Sequence, residues 1–352
     1  MAFHGKRTRH LWGAAATTAV TAFAFLPQLP AAAEPGHIDP AALPRGDHPA
    51  VVYLLRDTIR DGARRVPATH RGEHEALWVV SGGYLVRDVN VGPRGSSRVV
   101  YISRAGERRV VARSRDLLTV AVSASGRRVA VQRSASSTGL RTVITVSSPR
   151  TGRVIAHREL RMANLVALTD HRALIGRRAH WHHPATVWWS YQHNRINRIY
   201  HQAAIRADIR HDKVVFERTP VGEFCNRVAI LSRPARTLWH SCQMYPQQWS
   251  PDGRLAIATY AYFDAVGTAR WWVIDGRTAQ RQATVAGRLD WDAVWENNNH
   301  FLTLAQSDAG KAAIIRCDLT GSCERASRLW NVPVPSDPSV YYASPPVVLA
   351  TP

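Results

Sequence analysis

Trp249-Ser250-Pro251-Asp252-Gly253-Arg254-Leu255-Ala256-Ile257-Ala258 reads as a tight turn feeding a strand. Ser250, Pro251 and Gly253 take the first, second and fourth places favoured in a type I turn, and the apolar run after Arg254 can pair back on the residues before the turn. Asp252 sits inside the turn, where Asp serves local hydrogen bonding, so it reads as structural and not as a catalytic or calcium-binding carboxylate. Weaker copies recur. Leu117 to Val122 runs through Ser123-Ala124-Ser125-Gly126 into Arg128 to Gln132, and Asn164 to Leu168 runs through Thr169-Asp170-His171 into Ala173 to Arg177.

Aligned on these turns, the chain divides into units of roughly 40 to 45 residues with four strand-like runs each, the period of a propeller blade. The expected fold is all-β, a β-propeller of four-stranded antiparallel blades. Six such units run from Ala76 to Leu329, with Ala203 to Cys242 the least regular. An extra hairpin precedes them, Val51 to Arg56 and Ala63 to Val66 around Arg60-Asp61-Gly62, and Val340 to Leu349 follows them. An open edge would leave unpaired backbone groups, so the two ends are expected to share one composite blade. That gives seven blades; six with a one-strand clasp is the alternative.

The turn at Ser250 to Gly253 resembles those of TolB-like and WD-type propeller repeats. The hairpin Cys317-Asp318-Leu319-Thr320-Gly321-Ser322-Cys323 is similar to one in secreted actinobacterial propellers of undefined role. The resemblance implies a fold and a secreted habit but no activity, since propellers host binding modules and unrelated enzymes.

At the amino terminus Lys6, Arg7 and Arg9 precede an apolar stretch from Leu11 to Leu26, then Pro27, Pro30 and Ala31-Ala32-Ala33 before Glu34. This pattern is that of a secretory signal with a small-residue cleavage site. The apolar part is shorter than the roughly 20 residues a bilayer core needs. The expected organisation is a signal peptide over 1–33, a flexible leader over 34–48 and one propeller over 49–352, giving an extracellular protein without a transmembrane anchor. Removing the signal lowers the formal net charge of +20 by three, to +17, nearly all of it arginine. Export argues against nucleic acid as the counterpart of this charge and favours an anionic envelope polymer.

Four cysteines in an exported chain are expected to be oxidised. Cys225 and Cys242 lie equally far from a turn at Arg233-Pro234, and Cys317 and Cys323 are centred on Thr320, so each pair faces itself across a hairpin. Neither spacing suits a zinc site.

Candidate chemistry is sparse. His180-Trp181-His182-His183 is a weak binding candidate: His180 and His182 would share one side of a strand, but no third metal ligand is evident. Trp188-Trp189 and Trp271-Trp272 fall on equivalent third strands and read as packing between blades rather than a carbohydrate platform. Asp290, Asp292 and Glu296 form the densest acidic set, yet glycosidase chemistry needs two carboxylates across a cleft, which sequence alone does not supply. No G-x-S-x-G elbow is present. No catalytic residue, metal site or cofactor is assigned. The expected function is a secreted, non-catalytic, monomeric binding propeller for an anionic envelope polymer or a protein partner. The alternative is a carbohydrate-active or small-ester enzyme with its site at the central channel.

Overall fold

The computed structural model describes residues 37–68, 73–90, 96–135, 140–177, 184–218, 225–261, 267–334 and 347–351. Antiparallel four-stranded sheets succeed one another along the chain. The first holds Glu73–Val80, Gly83–Val89, Ser97–Ser103 and Arg108–Ser114; the second Thr119–Val122, Val129–Ser134, Arg141–Ser147 and Val154–Arg161. The third holds Ala163–Leu168, Arg172–Arg177, Ala185–Ser190 and Arg195–Tyr200; the fourth Ala204–Asp208, Lys213–Arg218, Cys225–Ile230 and Arg233–Ser241. In each, the first strand is innermost and the last outermost.

The fifth and sixth sheets share one strand. Met244–Trp249, Leu255–Tyr260 and Thr268–Asp275 are completed by the first half of Arg281–Trp295, whose second half pairs with His300–Gln306. Lys311–Asp318 and Cys323–Arg325 then finish the sixth sheet. The sequence suggests two separate strands here, Gln280 to Val285 and a run beginning at Ala293; the backbone instead continues extended between them.

A closing sheet joins the two ends of the propeller region. Val347–Thr351 pairs with Tyr53–Leu55, which pairs with Thr58–Asp61, which pairs with Arg64–Pro67. The expected hairpin is therefore a three-stranded meander. Arg56 at φ 52° and Gly62 at φ 56° each turn the chain, so Arg60 and Asp61, read from sequence as turn residues, lie in the middle strand.

The cores lie between sheets, and this explains the sequence pattern. A second strand such as Leu255–Tyr260 is covered on both faces, so it reads as a continuous apolar run, whereas outermost strands such as Val154–Arg161 alternate half-buried and exposed residues. Trp189 fills the core between the second and third sheets while Trp188 fills that between the third and fourth. Trp272 and Trp271 do the same on the two sides of the fifth. Consecutive residues of a strand point to opposite faces, so each doublet supplies two cores at once. The series returns on itself: Val347 and Leu349 pack against the sixth sheet, while Val348 and Ala350 pack against the first.

Residues 37–50, within and just beyond the stretch expected as a leader, are fastened to the fifth and sixth sheets. Ile38 bridges to Gly287 and Arg45 to Arg325, and Arg316 donates to the carbonyls of Asp47 and His48 at 3.3 and 3.1 Å. Among the described residues no helix is long and apolar enough to cross a membrane.

Candidate functional site

Inner strands converge on the axis of the propeller, and most of them are bulged there. Glu75, Val166, Ile205 and Gln247 are each skipped in the pairing of their strand with the next. In the long shared strand the interruption spans three residues, Asp290-Trp291-Asp292, between the pairs Leu289 with Ala305 and Ala293 with Thr303. A bulge re-aims a side chain out of the alternating pattern.

These interruptions gather charge. Asp292 lies in the field of Arg206 from the fourth sheet and of Arg87 and Glu75 from the first. Arg87 pairs with Glu75 at 2.9 Å and donates to the Leu118 carbonyl at 2.8 Å. Arg206 donates to the Tyr245 hydroxyl at 3.2 Å and to the Gln247 carbonyl at 2.5 Å. Asp290 and Asp292 are half-buried. Burial, then the charge of Asp292, pushes the Asp290 carboxyl up to about 8; burial also raises Asp292, against the pull of Arg206 and Arg87. Arg206 and Arg87 thus face Asp292, while Asp290 beside it holds its proton at neutral pH.

Glu296 does not join this set. It accepts from Arg316 at 2.5 and 3.0 Å and from the Ala50 amide at 2.7 Å. Burial opposes its ionisation, but these donors prevail and hold its carboxyl below the usual range. Its role is to anchor the amino-terminal strap. His180, Trp181, His182 and His183 lie outside the described residues.

Both disulfides are formed, Cys225 with Cys242 and Cys317 with Cys323. At the Ser250 turn, Gly253 N–H donates to Ser250 O at 2.8 Å and the Ser250 hydroxyl donates to Asp252 at 2.7 Å. Burial opposes ionisation of Asp252, yet the Ser250 hydroxyl and the Arg254 amide and guanidinium hold its carboxyl at about 2. Sequence reasoning missed what receives this turn. His211 bridges Asp208 and the Pro251 carbonyl, and the buried Lys213 donates to the Gly253 carbonyl beneath the Trp249 ring. Burial lowers the Lys213 ammonium from its ordinary value, against the charges of Asp208 and Asp275.

The arginines are spread round the circumference. Every outermost strand carries at least one: Arg64, Arg108, Arg158, Arg195, Arg233, Arg281 and Arg325, going from the closing sheet through the sixth. Charge on an edge strand blocks edge-to-edge pairing with another molecule, which alone gives these residues a structural use. Many of the acids are engaged locally, as in Asp88 with Arg98, Asp170 with Arg127 and Asp308 with Arg288.

No protein-family model matches the chain, and no curated protein matches it in sequence. Solved structures do. The acylaminoacyl peptidase of Pyrococcus horikoshii is similar with a TM-score of 0.55 at 8% identity, over 77% of this chain and 47% of that one. The Cps50 (Swd1) β-propeller domain of Myceliophteria thermophila is similar with a TM-score of 0.50 at 9% identity, over 75% of this chain and 89% of that one. TolB from Acinetobacter baumannii gives 0.46 at 12% identity, over 73% and 63%. At such identities the likeness is one of fold: the chain is a β-propeller.

Proposed function

We propose that this chain is a secreted, non-catalytic, monomeric propeller of seven blades, released by cleavage before Glu34, that binds an anionic envelope polymer or an acidic partner through its arginines. The arginine on every outermost strand supports this most directly, together with an excess of 46 Lys and Arg over 26 Asp and Glu that one-to-one ion pairs cannot remove. The bulged axial cluster supports a second reading, an enzyme in which Asp290 and Asp292 work at different protonation states. Retention of the mature protein on isolated cell walls and on a neutral polysaccharide, at low and high salt, tests the first. Binding to walls should fall steeply as the screening length drops from about 10 Å to about 3 Å. Equal retention on both matrices, or retention insensitive to salt, would overturn it, and glycan turnover abolished by Asp292→Asn would establish the second.

A further inference from the structure

A cleft of about 420 Å³ opens between the sixth sheet and the closing sheet, with a smaller lobe of about 230 Å³ sharing Leu55, Arg60, Arg328 and Trp330. Such volumes suit a small ligand. Three separate parts of the chain bring arginines to it. Arg45 comes from the amino-terminal strap, Arg60 and Arg65 from the closing sheet, and Arg328 from the segment after Cys323–Arg325. Tyr53 and Trp330 supply aromatic wall. Among the described residues no carboxylate lines the larger lobe, and Asp57 is the one acid of the smaller.

Converging cations cost energy unless an anion meets them. Two inward arginines elsewhere in the chain, Arg98 and Arg316, have a carboxylate beside them, Asp88 and Glu296. Arg60 is half-buried, with its Nε enclosed and without a hydrogen-bond partner among the described residues. Trp330 is 8% exposed and its indole N–H is likewise unpartnered among them. Guanidinium forks suit the oxygens of a phosphate, which carries up to about two charges at neutral pH. The aromatic wall suits an uncharged body attached to that phosphate.

We propose that this cleft binds a phosphate ester on a sugar-sized or polyol-sized body, either free or as a unit of an anionic envelope polymer. The proposal rests on the anion-binding reading above and gives it a location and a ligand chemistry. Calorimetric titration of the whole chain with glucose 6-phosphate, inorganic phosphate, glucuronate and glucose tests it. Glucose 6-phosphate should bind best and glucose not at all. Arg60→Gln with Arg328→Gln should weaken the sugar phosphate about tenfold or more. Arg127→Gln, in an exposed turn of the second sheet and not among the outermost-strand arginines, should leave it unchanged. If the cleft pair does not fold, Arg45→Gln on the exposed strap replaces it, with a smaller loss expected. Free sugar phosphate that displaces the protein from cell walls identifies the polymer as the source; binding without displacement identifies a free ligand. Glucuronate binding as well as the phosphate ester, or folded cleft variants that bind normally, would overturn the assignment. Salt-sensitive wall binding without any phosphate-ester binding would overturn this site alone, and loss of both would overturn both readings.

Discussion

Gly253 stands at φ 72°, a left-handed conformation that disfavours β-branched residues. A Cβ built there would lie 2.4 Å from the His211 ring. Gly253→Val is therefore expected to lower stability by about 1–3 kcal/mol from backbone strain alone, with the clash against His211 adding to it. A melting temperature within a degree of wild type would contradict this. The turn was legible because Ser, Pro and Gly act through local backbone geometry. His211 and Lys213 were not, because contacts between adjacent sheets follow no fixed sequence offset. Asp290 was legible only as one of a run of acids. Its carboxyl is raised from 3.8 to about 8, so between roughly those pH values the folded chain holds a proton that the unfolded chain has lost. Stability from this group therefore falls as pH rises through that window. Asp290→Asn, neutral at every pH, should gain on wild type in melting temperature between about pH 5 and pH 8; a difference constant across that range would sink this account.

At the scale of the element, Cys225 and Cys242 meet by a route that sequence symmetry misstates. The turn is at Leu231-Ser232 and not at Arg233-Pro234. Two irregularities in the following strand, at Leu238 and at Pro234 to Arg236, then restore the register that sets Asn226 opposite Ser241 and brings the cysteines together. Pro234 has no amide hydrogen to offer a ladder, which suits a residue inside such an irregularity. Bulges are invisible to period counting because they insert residues without altering the apolar pattern on either side. The same blindness hid the axial cluster, whose members Glu75 and Asp290 to Asp292 are skipped in their ladders. The bridge itself closes a separation of 17 residues and should stabilise by about 3 kcal/mol; the bridge across 6 residues should contribute less. Denaturant unfolding of Cys225→Ser with Cys242→Ser, set against Cys317→Ser with Cys323→Ser, checks the order. A larger loss from the second pair would reverse it.

For the whole molecule, the repeat period was legible because each sheet needs a neighbour on both faces, which leaves the same apolar signature in every unit. Closure was legible as a need, since an open edge exposes backbone groups, but its strand order was not: Thr58–Asp61 carries Arg60 and Asp61, which locally look like a turn. The carboxy-terminal strand shows what closure requires. Val347 and Leu349, both nearly inaccessible, enter the core shared with the sixth sheet, and Val348 and Ala350 enter the one shared with the first. Val347–Thr351 also pairs antiparallel with Tyr53–Leu55 and parallel with Glu73–Val80, so its loss would leave both of those strands without a partner on one side. Leu349→Ala, which opens a void in one core only, should cost about 2–5 kcal/mol and leave a folded monomer. Removal of residues 347–352 should do more than that, because two cores are stripped and two strand edges are bared at once. Gel filtration with thermal unfolding separates the cases: the truncated chain is expected to aggregate or to lose its cooperative transition. A truncated chain that elutes as a monomer and melts with the full-length protein would mean that the ring is held elsewhere.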